Sequence, residues 1–166
     1  MLSNIARSSN APAVSRGTLT LPRDGARLYD ESKRYLSRDP GERALFSRLE
    51  HAPGRQYRLT LNRRNDDHFD PRTDTIAWDP YSALRTTGGG RQSPALGLGH
   101  EVAHAVESRT TEDRLSHRRV AHYDNAEERR VIRGSECHAA RTLGESTRND
   151  HDGTCYRVSS PVRMFA

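Results

Sequence analysis

The sequence has 166 residues, the length of one domain, and at about 150 residues a chain buries roughly 68–70 % of its unfolded surface. Only 33 % of the residues are hydrophobic while 30 % are charged, so the core is small, and a net charge of +5 is too modest to make the whole chain disordered. No stretch approaches the roughly 18 apolar residues that span a bilayer, and the cysteines Cys137 and Cys155 form neither a CxxC pair nor a disulfide framework, which points to a reducing compartment. The positive charge is almost all arginine, Lys33 being the only lysine, but acids are interleaved with it and no stacking aromatics punctuate the basic runs. Neither nucleic acid nor a membrane is therefore expected as a partner, and a monomer is expected.

Residues 1–22 open with MLSNIARSSNAPAVSRGTLT, rich in Ser, Ala, Asn and Arg without a sustained period, and read as a disordered leader before a folded domain at 23–166. Leu28, Tyr35, Leu36, Leu45, Phe46 and Leu49 follow helical spacing, with Asp39-Pro40-Gly41 dividing the segment into two short helices. Tyr57, Leu59 and Leu61 alternate with polar residues as in a half-buried strand, and Asp74 to Trp78 reads as a second strand, paired antiparallel to the first across a polar turn. Tyr81 to Gln92, which contains Gly88-Gly89-Gly90, reads as a flexible surface connection.

The pattern then changes. Ser93-Pro94 supplies an N-cap and a proline at the first helical position, and Ala95 to Glu107 continues without another proline as the best helix of the chain. Asn125 caps a further helix through Ile132, Gly134 interrupts it, and Glu136 to Leu143 resumes helical spacing. Within the strong helix stands His100-Glu101-Val102-Ala103-His104. Histidines four residues apart leave a helix on one face and can chelate one metal ion, for which zinc is the match, while the intervening glutamate sits where it can take a proton from water. Gly97 and Gly99 each cost a helix about 1 kcal/mol relative to Ala and imply close packing there.

A zinc hydrolase keeps three protein ligands. The extended HExxHxxGxxH pattern fails, because Glu107 and Thr110 stand at its glycine and third histidine. The third ligand is then expected among Glu127, Glu128, Glu136 and Glu145. Glu128 shares a helix face with the apolar Val131 and Ile132 and is favoured; Glu127 lies on a mixed face; Glu136, beside Ala139, Ala140 and Leu143, stays open as the alternative. His117, His122, His138 and His151 form no second helical pair and read as solvated or capping residues.

From Thr73 to Pro161 the order of Trp78-Asp79-Pro80, a glycine-rich loop, Ser93-Pro94, His100-Glu101-Val-Ala-His104-Ala105 and Glu127-Glu128-Arg-Arg-Val-Ile-Arg-Gly134 resembles the NleD-type zinc metalloprotease effectors of bacterial type III secretion. The Glu-Glu-x-x-x-x-x-Gly stretch is also similar to the third-ligand segment of clostridial neurotoxin light chains, whose second glutamate binds zinc, although the interval from His104 to Glu136 matches theirs better than that to Glu128. The resemblance implies an α+β, zincin-like metalloprotease domain of the gluzincin type, with the HExxH helix beside a short antiparallel sheet. It implies a Zn2+ cofactor held by His100, His104 and Glu128, with Glu101 as catalytic base. It further implies an effector delivered into a host cell, its leader a secretion signal, and a host protein substrate such as a mitogen-activated protein kinase. Tyr156 and Arg148 are candidates to stabilise the tetrahedral intermediate. The competing reading is an arginine-rich binding module in which the HExxH helix is structural.

Overall fold

The computed structural model describes residues 12–165. Two strands come first, β1 (Ala13–Arg16) and β2 (Leu19–Pro22), joined by a turn at Gly17. Gly17 has φ +59, and any Cβ there would collide with the carbonyl oxygen of Glu50. The expected disordered leader is thus corrected over residues 12–22, while residues 1–11 lie outside the described residues. Local composition misses these strands because Leu19 and Leu21 are buried only by joining a sheet made downstream.

Helices α1 (Arg23–Leu36) and α2 (Pro40–Glu50) divide where the sequence places the break, with the Asp39 side chain accepting from the Glu42 amide as N-cap and Pro40 at the first position. Strands β3 (Tyr57–Leu61), β4 (His68–Asp70) and β5 (Thr75–Trp78) follow. The five strands form one sheet in the order β1-β2-β3-β5-β4. β3 and β5 are parallel, not antiparallel as expected, because the intervening segment contains β4, which turns back in a hairpin and takes the edge position. The sheet is therefore mixed, with antiparallel pairs only at β1–β2 and β4–β5.

The glycine-rich stretch is also more ordered than its composition implies. Ser82–Thr86 (β6) and Arg91–Gln92 (β7) form a hairpin whose turn holds the glycines, and β6 pairs on its other side with Gly153–Arg157 (β8). That second pairing joins residues some seventy positions apart, which no local pattern reports.

Helix α3 (Pro94–Ala105) packs among α1, α2, β4, β5 and β6 and buries every residue except Gly97. Ser93 caps it through its hydroxyl, and the indole of Trp78 donates to the Pro94 carbonyl at 2.9 Å. Leu96, Leu98, Val102 and Ala105 join Leu19, Tyr29, Phe46, Leu59, Ile76 and Trp78 in one core. Then come α4 (Arg109–Ser116), which buries none of its residues, α5 (Ala126–Val131), capped by Asn125, and α6 (Cys137–Leu143). A π-type segment at Ile132–Glu136 links α5 to α6, with Gly134 out of helical geometry at φ −100 and ψ −108, which is the interruption the sequence marks. The architecture is α+β with two small sheets. No helix among the described residues is long and apolar enough to cross a membrane.

Candidate metal centre

The two histidines leave the buried face of α3 one turn apart, with ring centroids 4.6 Å apart. Their Nε2 atoms lie 2.9 Å from each other. The Glu128 carboxylate, from the first turn of α5, closes the group: Oε2 is 3.0 Å from His100 Nε2 and Oε1 is 3.3 Å from His104 Nε2. Ligand atoms from all three residues fall within 4.8 Å of one another, so the group could hold a metal ion.

The far side of each ring explains why these three atoms converge. His100 Nδ1 is 2.7 Å from Glu136 Oε2, and His104 Nδ1 is 3.1 Å from Glu127 Oε1. Each carboxylate fixes a proton on Nδ1 and thereby turns the lone pair of Nε2 toward the common point, the arrangement that metal-ligating histidines require. Arginines hold the carboxylates in turn. Arg148 reaches Glu136 through Nε and an NH2 group, each at 2.8 Å, and Gln92 donates to the same carboxylate at 2.9 Å. Arg130 pairs with Glu127 and also donates to the Ala103 carbonyl.

The electrostatics follow from this packing. Burial opposes charge on His100, but the carboxylates of Glu128 and Glu136 outweigh it and raise its pKa to about 10. His104 is raised for the same reason by Glu127 and Glu128. Burial pushes the Glu128 and Glu136 carboxyls up, yet their hydrogen bonds and charged partners hold both far below the usual carboxylate range. The donor set, two imidazoles and one carboxylate, fits a divalent metal of borderline softness.

Glu101 follows His100 on α3, is largely buried, and lines two cavities that flank the centre. One, about 280 Å³, is bounded by Gln92, Arg148, Leu84 and Cys155; the other, about 180 Å³, by His68, Phe69, Glu112 and Asn125. Asp67 and His151 line both. Burial and the charge of Glu101 raise the Asp67 carboxyl to about 8 despite a hydrogen bond from the Asp79 amide, so it is largely protonated at neutral pH. Beneath α3 the Glu42 side chain fills the gap left by Gly99, where a Cβ would stand 2.5 Å from Glu42 Oε2. Neither Glu42 carboxyl oxygen has a partner, and burial raises its pKa to about 8.

The structure brings together His100, Glu101, His104 and Glu128 as the sequence proposes. It puts Glu136 on the far nitrogen of His100, an orienting position and not the metal-facing one. Glu127, which the mixed face of its helix left unassigned, is the matching residue for His104. Arg148 is occupied by Glu136, and the Tyr156 hydroxyl donates to the Met164 carbonyl, away from the histidines. His151, expected to be solvated, sits in the site with Nε2 3.3 Å from Glu128 Oε2. Nothing in its sequence neighbourhood marks it, because its placement depends on a loop far from it in the chain. Comparison with protein-family models, with curated proteins and with solved structures found no match for this chain.

Proposed function

We propose that the chain is a zinc-dependent endopeptidase with a zincin-like active site. The observation that carries this reading is the convergence of His100 Nε2, His104 Nε2 and Glu128 on one point, with Glu101 between the histidines in sequence and open to the cavities on both sides. A purely structural zinc site would close the fourth position with another protein ligand; three ligands beside a cleft leave it to the reaction.

His100, His104 and Glu128 would hold the zinc, which would supply Lewis-acid polarisation and make water more acidic. The Glu101 carboxylate takes the proton of the attacking water and passes it to the leaving amine. Glu136 and Glu127 keep the two imidazoles in the ligating tautomer throughout. Substrate would pair with β4, an edge strand of the larger sheet that has no strand on its outer side among the described residues. The neighbouring β5 is interior, flanked by β3 and β4, and has no edge to offer. His68 and Phe69 of β4 line the cavity on the His104 side, which supports this route for a peptide.

The resemblance to NleD-type effectors supports a host protein as substrate, with the activation loop of a mitogen-activated protein kinase the first segment to try. The test is digestion of a proteome-derived peptide library by zinc-loaded protein, read by mass spectrometry, with Glu101→Gln and a chelator as controls. Cleavage by the wild type that both controls abolish, while Glu101→Gln keeps its zinc, is the expected result. A zinc-loaded wild type that cuts nothing in the library, or a Glu101→Gln variant that still cuts, contradicts the reading.

A further inference from the structure

Between β8 and the end of α6 the chain passes the metal centre at His151. Its Nδ1 lies 2.7 Å from Asp124 Oδ2, its Nε2 lies 3.3 Å from Glu128 Oε2, and its ring centroid is 6.4 Å from that of His100. The side chain is 39 % exposed and lines both cavities, so it faces the space where a substrate must lie. It is nonetheless not one of the three atoms that converge on the metal point.

The loop opposite is built to hold this ring. His122 and Asp124 both have left-handed backbone, φ +69 and +61, which non-glycine residues rarely adopt. The His122 carbonyl accepts the backbone N–H of His151 at 2.7 Å, and the Asp124 carboxylate meets its Nδ1. The next residue, Asn125, caps α5 by accepting from the amides of Glu127 and Glu128. One strained loop therefore fixes the third ligand and His151 together. Strain of this kind persists where the surrounding structure enforces it, and it concentrates at functional sites.

We infer that His151 is a catalytic residue of the proposed peptidase: its Nε2–H donates a hydrogen bond to the oxygen of the scissile carbonyl and stabilises the negative charge that develops there. The inference rests on the endopeptidase reading. A carboxylate faces each ring nitrogen, which fixes the plane and direction of the ring. Several other donors near the site are engaged by carboxylates or carbonyls. Arg148 is spent on Glu136, the Gln92 amide on Glu136 and the Ser146 carbonyl, the Ser93 hydroxyl on Glu145, and the Tyr156 hydroxyl on Met164. His151 combines a place 3.3 Å from the third ligand with an opening to both cavities. Asp124 is a positioning residue that acts through it.

The experiment compares wild type, His151→Ala, His151→Gln and Asp124→Ala in three readouts: zinc per chain, the visible spectrum of the cobalt-substituted protein, and kcat and KM on a quenched fluorescent peptide taken from the library digestion. His151→Ala is expected to keep one zinc and an unchanged cobalt spectrum while kcat falls about 100-fold and KM moves less than about threefold, the range found when one oxyanion donor is removed. His151→Gln, which keeps an N–H donor, should recover part of that loss, and Asp124→Ala should lose less than His151→Ala. Unchanged kcat in His151→Ala overturns the assignment. Loss of zinc or an altered cobalt spectrum in that variant also overturns it, and makes His151 a support or ligand of the metal instead. If wild type binds zinc and cuts no peptide, the endopeptidase reading itself has failed and this assignment falls with it.

Discussion

The two histidines of α3 are served by arms of the same design and unequal burial. Behind His100 stand Glu136 and Arg148, whose side chains are 2 % and 9 % exposed, and Gln92 adds a further hydrogen bond. Behind His104 stand Glu127 and Arg130, and Arg130 is 33 % exposed with a second acid, Glu107, 3.5 Å away. The first arm is a buried ion pair that loses a great deal if one member is removed, since the survivor is left charged in a dry site. The second is in partial contact with water, which screens what remains after a change. Orientation of a histidine can thus be secured by a rigid buried pair or by an adjustable one, and α3 uses both.

The largest effect should come from the buried arm. Glu136→Ala strands Arg148 and frees Nδ1 of His100, so chemical denaturation should show a loss of about 3–5 kcal/mol and competition with a chelator a zinc affinity weaker by about 10–100-fold. The Glu42 carboxyl, packed beneath the same arm, gives the next effect. Its folded pKa of about 8 lies above the ordinary 4.5, raised first by burial and then by Asp39 and Glu136. The folded protein therefore holds a proton that the unfolded chain releases, and stability falls as pH rises from about 4.5 to about 8. Glu42→Gln should remove that slope, adding roughly 2–4 kcal/mol at pH 8.5 and close to nothing at pH 4.5. An equal gain at both pH values would mean that Glu42 is not protonated in the native state.

On the more open arm, Glu127→Ala should cost about 1–2 kcal/mol and zinc affinity close to the lower end, about 10-fold. The smallest change is expected from Arg130→Gln, below about 1 kcal/mol by thermal unfolding, because the lost pair is partly solvated. If Glu127→Ala proved as damaging as Glu136→Ala, the inequality of the arms would be wrong.

What the sequence made legible was local. The caps at Ser93 and Asn125, the break at Asp39-Pro40-Gly41 before α2, the kink at Gly134 and the histidine pair all follow from residues within a turn or two of one another. Gly97 and Gly99 signalled close approach correctly, but not that the approaching groups would be the carboxyls of Asp67 and Glu42. The sheet was harder, because β1–β2 and β6–β8 are stabilised by partners far along the chain and carry no long alternating pattern. At the site, helical phase favoured Glu128 on the argument that it turns toward the core. In the structure it is Glu127 that is buried, and Glu128 faces the histidines from a partly open position. Which of two adjacent carboxylates meets Nε2 and which meets Nδ1 depends on how the six-residue α5 docks on α3, and the sequence pattern of α5 alone does not contain that. His151 was missed for a similar reason, since its meaning comes from the Asp124 loop that faces it.

Zinc stoichiometry by elemental analysis, on purified wild type, Glu101→Gln, Glu128→Gln and Glu136→Gln after equilibration with a limiting zinc buffer, tests the centre most directly. One zinc per chain in wild type and Glu101→Gln, near-complete loss in Glu128→Gln and partial loss in Glu136→Gln, is the result that the geometry predicts. No zinc in the wild type after reconstitution, or greater loss in Glu136→Gln than in Glu128→Gln, would contradict it.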